Sequence, residues 1–98
     1  MNKQLVIDKI WELSDYEDIE VAKKFVDCIS QIWIDNQFLD FKFIIEDFNM
    51  GYPYIIYNEE EDIYLQTWGE FCEAMIDDVK EYYDDKRLNF DKILEIEL

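Results

Sequence analysis

The chain has 98 residues, half of them hydrophobic and 17% aromatic, so it predicts one folded domain over residues 1–98 and excludes an acidic disordered tail. It carries 25 Asp and Glu against nine Lys and Arg, a net charge of −16, which makes direct binding to nucleic acid or to an anionic membrane unfavourable. It has no histidine, which excludes Ser-His-Asp and Cys-His catalysis and His-based zinc sites.

The first helix is predicted over residues 3–13. Val6, Ile10 and Leu13 repeat at i, i+4 and i+7 and form one apolar stripe, with Trp11 beside them. A stripe of this kind packs against the rest of the domain, so these residues are predicted to be core.

The second helix is predicted from Asp15 to about Asn36. Ser14 is its predicted N-cap, because Glu17 follows three residues later as in a capping box. The apolar positions that then recur at helical spacing are Ala22, Phe25, Val26, Ile29, Ile32 and Trp33.

The hydrophobic period changes after the second helix. Residues 38–48 alternate between apolar and polar and are rich in Phe and Ile, which predicts a strand. Residues 49–53 contain the chain's only Pro and predict a turn before a second strand at 54–58. The acidic run 59–62 predicts an exposed turn, and 63–66 a third short strand.

Thr67 is the predicted N-cap of a third long helix, with Glu70 completing a capping box. The helix is predicted to end near Asp85. Its predicted apolar face consists of Phe71, Met75, Ile76, Val79 and either Tyr82 or Tyr83. Asn89 is the predicted cap of a last short helix that ends at Leu94, and a terminal strand is the alternative, because Leu94, Ile96 and Leu98 alternate.

These elements together predict an α+β fold. It comprises two N-terminal helices, a small antiparallel three-stranded sheet, one long helix, and a short C-terminal helix or strand. The helices are predicted to pack on one face of the sheet.

The N-terminus and the cysteines indicate a cytoplasmic protein. The apolar run at residues 5–7 is too short for a signal peptide, and no uncharged stretch is long enough to cross a membrane. Cys28 and Cys72 lie in apolar helical patterns and are predicted to be buried free thiols rather than a disulfide.

The acidic charge is concentrated in the second half of the chain. Residues 59–85 hold 11 acids and one base, Lys80. A solvated face that keeps the protein soluble is one interpretation, but a net charge of −16 exceeds the roughly 2 to 8 that solubility needs. We therefore predict a surface that binds a basic protein. The candidate partner-binding residues are Tyr57, Glu59, Glu60, Glu61, Asp62, Tyr64, Trp68, Glu70, Glu73, Asp77 and Asp84.

Enzymatic and cofactor chemistry finds little support. Two Gly residues cannot form a phosphate-binding loop, and two Cys residues cannot complete a zinc site. The acidic run lacks the spacing of an EF-hand, and the adjacent pairs Asp77-Asp78 and Asp84-Asp85 diverge on a helix. We predict no catalytic residue, no metal and no cofactor.

In size, acidity and lack of catalytic residues, the chain resembles the bacterial immunity proteins that neutralise nuclease domains of colicins and contact-dependent inhibition systems. The resemblance is carried by residues 51–85, GYPYIIYNEEEDIYLQTWGEFCEAMIDDVKEYYDD. It implies a function class: tight binding to a toxin encoded alongside, sometimes away from the toxin's catalytic centre. A phage-encoded mimic of nucleic acid that blocks a defence nuclease is the alternative in the same class. A non-inhibitory acidic adaptor is the alternative from another class.

Overall fold

Helices make up most of the described chain. The computed structural model describes residues 2–16, 18–36, 41–46, 54–59, 62–85 and 88–97. The elements are α1 (Lys3–Ser14), α2 (Ile19–Asn36), β1 (Phe41–Glu46), β2 (Tyr54–Glu59), β3 (Asp62–Thr67), α3 (Trp68–Tyr82), a 3-10 helix (Tyr83–Asp85) and α4 (Asp91–Leu94).

Helix α1 confirms the first predicted helix. The Asn2 side chain caps it by accepting a hydrogen bond of 2.8 Å from the backbone N–H of Gln4. Val6, Ile10 and Leu13 are fully buried, as their spacing predicts. The apolar stripe of α1 is therefore part of the core.

Helix α2 begins four residues later than predicted. The prediction that Ser14 caps it is wrong, because Ser14 is the last residue of α1 and its hydroxyl donates backward to the Trp11 carbonyl at 2.6 Å. Asp18 takes the capping role instead, and its carboxylate accepts from the backbone N–H groups of Glu20 at 2.8 Å and Val21 at 3.3 Å. An Asp immediately before the first helical turn is as good a cap as Ser.

The backbone of the three strands forms an antiparallel ladder in the order β1-β2-β3. Phe43 of β1 lies opposite Tyr57 of β2, and Tyr57 lies opposite Tyr64 of β3. The side chains of residues 41–66 lie outside the part of the chain that the structure describes.

The predicted fold class, α+β with the helices packed on one face of a sheet, is wrong. Of the residues whose side chains are described, 81% are helical. The described core is formed by side chains from α1, α2 and α3, together with Leu88, Phe90, Ile93 and Ile96 near the C-terminus. In this described core the apolar stripes of the helices are buried against one another.

The start of α3 confirms the prediction for Thr67. Its hydroxyl oxygen accepts a hydrogen bond of 3.2 Å from the backbone N–H of Glu70. The predicted face of α3 is buried as far as Val79, and Trp68 and Cys72 join it. Tyr82 and Tyr83 are both half-buried. The helix then passes into the 3-10 turn that ends at Asp85, where the sequence predicts its end.

Replacing Thr67 by Ala is expected to lower the free energy of unfolding by about 1 kcal/mol, because one N–H group at the start of α3 loses its partner. Urea denaturation measures the effect. Ser14→Ala is the matched control, since that hydroxyl caps no helix, and it is expected to change stability by less than about 0.5 kcal/mol. An equal effect of the two substitutions would contradict the role assigned to Thr67.

The last element is a helix, so the terminal-strand alternative is wrong. Helix α4 begins at Asp91, and the residue before it is Phe90, whose carbonyl accepts from the Ile93 N–H at 3.0 Å. The prediction that Asn89 caps this helix is also wrong, because Asn89 lies one residue before the capping position. Phe90 occupies the capping position, and its ring is buried in the core with 2% of its surface exposed.

Candidate protein-binding surface

The outer face of α3 carries a row of carboxylates, which we call the α3 acidic face. Four predicted partner-binding residues belong to it and are exposed: Glu70, Glu73 and Asp77 on α3, and Asp84 in the 3-10 helix that continues it. Their separations of three, four and seven residues keep them on one side of the helix axis. Glu81 is exposed at the same helical spacing and completes the row, although it is not among the predicted partner-binding residues. At 1.5 Å per residue the row is roughly 20 Å long.

The α3 acidic face has little positive charge around it. Lys80 is the one cation of α3, and it is exposed. The ion pairs among the described residues lie elsewhere, between Lys23 and Glu20 at 3.9 Å and between Lys92 and Asp35 at 3.6 Å. Like charges three or four residues apart on a helix each cost about 0.2–0.5 kcal/mol. The α3 acidic face therefore destabilises the helix that carries it, and a cationic partner would relieve this repulsion.

Asp78 lies at the border between the α3 acidic face and the core. It is half-buried, and desolvation raises the pKa of its carboxyl from 3.8 to about 6, with further contributions from the neighbouring charges of Glu81 and Asp77. Near neutral pH this carboxylate is mostly ionised in an environment that disfavours its charge. Its position makes it sensitive to any change of charge on this face.

The raised pKa of Asp78 predicts a pH dependence of stability. Between pH 3.8 and about 6 the folded state binds more protons at Asp78 than the unfolded state, so the free energy of unfolding falls as pH rises through this window and stays lower above it. Asp78→Asn removes the cost. We expect the variant to be more stable at pH 7 by about 1 kcal/mol, after allowance for solvent screening of a half-exposed carboxyl, and unchanged at pH 3.

Urea denaturation of Asp78→Asn at pH 3 and pH 7 measures this difference. Asp77→Asn is the matched control, because it removes the same charge from the exposed neighbouring position. A smaller gain in stability is expected for that variant. If Asp78→Asn destabilises the protein at pH 7, the assigned burial of the carboxyl is wrong.

Trp68 is a core residue, so the prediction that it contacts a partner is wrong. Its side chain is 3% exposed, and its indole N–H donates a hydrogen bond of 2.8 Å to the Leu13 carbonyl. Its ring meets Phe25 edge-on at 5.3 Å between centroids and stacks on Phe71 at 5.9 Å. The first position of α3 faces inward, because an apolar ring there covers the end of α1.

The other predicted residues of the hairpin cannot be placed on a surface. Glu60 and Glu61 lie outside the described residues. The backbone of Glu59 and Asp62 forms the pair that closes the β2–β3 ladder, and Tyr57 pairs with Tyr64 in the same ladder. The side chains of these four residues also lie outside the described part, so their role in partner binding stays a prediction.

Three exposed hydrophobic side chains were missed by the sequence analysis. Trp11 is 47% exposed, Tyr16 39% and Ile19 38%, and all three lie where α1 leads into α2. The expectation that Trp11 lies beside the buried stripe of α1 is wrong. The spacing gave no signal of this exposure, because Trp11 lies four residues after the buried Ile7 and Ile19 lies three residues before the buried Ala22.

The cysteines are free thiols, as predicted. Cys72 is buried, and desolvation raises its pKa to about 12. Cys28 is half-buried, against the expectation of full burial. It lies at an open cavity of about 410 Å³ that Lys24 and Lys92 also line, and it donates to the Lys92 carbonyl at 3.2 Å. Burial raises the Cys28 pKa as well, so neither thiol is activated as a nucleophile.

Among the described residues, no cluster of three or more Cys, Asp or Glu side chains has the arrangement of a metal site. None of the helices in the described ranges is long and apolar enough to cross a membrane. No family model, curated protein or solved structure matches the chain.

Proposed function

We propose that this protein is a cytoplasmic, non-enzymatic inhibitor that neutralises a basic protein, and that it serves as an immunity protein against a toxic nuclease domain. The observation that carries the proposal is the α3 acidic face, whose carboxylates are exposed and form no ion pair within the described residues. The overall charge of −16 points to the same class of partner.

The electrostatic reasoning connects this face to a nuclease. A nuclease must hold an anionic substrate, so its substrate groove is cationic. A folded acidic domain is attracted to such a groove, and complementary charge raises association rates by roughly ten- to a thousandfold. Fast capture matters for an inhibitor, because a toxin that acts before it is bound causes damage.

The α3 acidic face is also suited to docking by its rigidity. Its carboxylates project from a helix of 15 residues whose opposite face is buried in the core. Their spacing is therefore fixed before the partner arrives, and the ordering cost on binding is limited to the side chains. The row is long enough to contact several cations at once.

Affinity purification followed by a nuclease assay tests the proposal. The tagged protein is used to purify its partner from the native organism at low salt, and the complex is then challenged with high salt. We expect a basic protein with nuclease activity that is silenced at a one-to-one ratio. A non-inhibitory adaptor would leave that activity unchanged. A neutral or acidic partner would contradict the proposal that the protein neutralises a basic one.

Two charge variants make the assay specific to this face. Glu73→Lys with Asp77→Lys is expected to weaken inhibition. Asp27→Lys with Glu97→Lys changes the net charge by the same amount at exposed positions outside α3, and is expected to inhibit nearly as well as the unmodified protein. An equal loss in both variants would mean that net charge alone is responsible.

A further inference from the structure

Residues 11–20 comprise the end of α1, the connection between the helices and the start of α2, and we call them the α1–α2 corner. Its exposed side chains include Trp11, Tyr16 and Ile19, which together with Leu5 are the large hydrophobic side chains exposed in the described part of the chain. Three of these four exposed residues therefore fall within a single ten-residue segment. Trp and Tyr are also two of the residue types that most often dominate the energy of protein interfaces.

The backbone of the α1–α2 corner is held by short-range hydrogen bonds. The Ser14 hydroxyl donates to the Trp11 carbonyl at 2.6 Å, and the Tyr16 N–H donates to the Leu13 carbonyl at 3.2 Å. Asp18 caps α2 from its other side. In the described parts of the corner, residues 11–16 and 18–20, the exposed aromatic side chains are therefore presented from hydrogen-bonded backbone, which reduces the entropy lost when a partner covers them.

The charge of the α1–α2 corner restricts what can cover it. Residues 11–20 contain five acids and no Lys or Arg. Glu12, Asp15 and Asp18 are exposed between the hydrophobic side chains. An acidic surface would be repelled, and a purely apolar one would desolvate these carboxylates without compensation. The complementary surface has an apolar patch with cations around it.

The end of α1 lies near the start of α3. The Trp68 indole at the start of α3 donates to the carbonyl of Leu13 near the end of α1. The end of α1 and the first turn of α3, where Glu70 is exposed, therefore lie at the same end of the molecule.

We propose that the α1–α2 corner docks a basic protein surface, with Trp11 inserted into an apolar patch of that surface and the surrounding carboxylates paired with its cations. This inference rests on the proposed function, because it assigns the anchoring residue for the same basic partner. The α3 acidic face then supplies long-range attraction, and the α1–α2 corner supplies the apolar contact that slows dissociation.

Two synthetic peptides of about 20 residues serve as probes, a length that gives the amphipathic one five to six helical turns. One consists of Leu and Lys with Leu at helical spacing, so that it presents an apolar stripe flanked by cations, and the other consists of Lys alone. Calorimetry measures the affinity of each for the unmodified protein, for Trp11→Ala and for Leu5→Ala. Leu5 is the matched control, because it is 55% exposed on the same helix but outside the α1–α2 corner.

We expect Trp11→Ala to weaken binding of the Leu-Lys peptide by about tenfold and to leave binding of the Lys peptide unchanged. Leu5→Ala is expected to leave both affinities within about twofold. The proposal is overturned if Trp11→Ala has no effect on the Leu-Lys peptide, or if the two substitutions weaken it equally. Thermal melts of both variants confirm that they are folded, since both side chains are exposed.

A separate variant tests the proposed function with the same two peptides. Reversing Glu73 and Asp77 to Lys is expected to weaken both peptides, since both carry positive charge. If that variant binds both peptides as tightly as the unmodified protein, the α3 acidic face does not attract cations and the proposed function loses its support. The comparison of Trp11 with Leu5 still gives a result in that case.

Discussion

Replacing Trp68 by Ala is expected to lower the free energy of unfolding by about 3–5 kcal/mol, the largest effect of any single substitution considered for this protein. The ring is nearly fully buried, and its removal leaves a cavity between Phe25 and Phe71. The substitution also removes the hydrogen bond to the Leu13 carbonyl that joins α3 to the end of α1. Urea denaturation measures the loss.

Two further variants separate the contributions of Trp68. Trp68→Phe retains an aromatic ring but not the indole N–H, and it is expected to cost about 1–2 kcal/mol, because the Leu13 carbonyl still accepts from the Tyr16 N–H. Trp11→Ala is the matched control, because the same residue type is truncated at a half-exposed position. It is expected to change stability by less than about 1 kcal/mol. If Trp68→Ala leaves stability intact but raises the rate of dissociation from the partner, Trp68 is an interface residue after all.

Reversing Glu73 and Asp77 to Lys is expected to slow association with the basic partner by about tenfold or more. Both carboxylates lie at the centre of the α3 acidic face, between Glu70 and Glu81. The negative potential, and with it the attraction for a cation of the partner, is greatest there. The slope of the association rate against salt concentration is expected to become shallower. Stopped-flow or surface plasmon resonance measurements at several salt concentrations give both quantities.

Asp27→Lys with Glu97→Lys controls for net charge in the same measurement, and it is expected to slow association by less than about threefold. An unchanged association rate for the α3 variant would show that partner attraction comes from another surface. A lower stability of either variant would be detected by urea denaturation. The α3 variant is expected to fold, because both substitutions are at exposed positions.

The helices were the part of the fold that the sequence predicted well. In α3, the apolar residues Phe71, Met75 and Val79 recur at helical spacing, and a helix is a local structure whose periodicity is visible without knowing its partner. The predicted packing of those apolar faces against one face of a sheet was wrong. The sequence shows that a stripe such as Val6, Ile10 and Leu13 must be buried, but it does not show against what.

Capping was predicted correctly at one position and wrongly at two. Thr67 caps α3 as predicted, because it stands directly before the first apolar turn and has little competition. Ser14 and Asp18 both had the right side chain for the start of α2, and the choice between them depends on how far α1 continues. That extent is decided by the burial of Leu13 against α3, which is a tertiary contact.

The candidate surface was predicted in part. The exposed carboxylates of α3 were predicted because charged residues stay in water unless they are paired, whatever the fold. Trp11 and Trp68 were assigned in the wrong sense, since Trp11 was expected beside the core and Trp68 on the surface. A Trp residue has a large apolar ring and one polar N–H, so it is suited to either location.

The amino-acid sequence by itself determined the charge of this protein, the helical spacing of its apolar residues and the absence of His chemistry, because these depend only on residue types and their local order. The tertiary structure decided which Trp is covered, which carboxylate is partly desolvated and which acids share an end of the molecule. Those properties arise from burial between helices, and burial depends on residues that are distant in sequence. Leu13 and Trp68 are 55 residues apart, and the hydrogen bond between them joins the end of α1 to the start of α3.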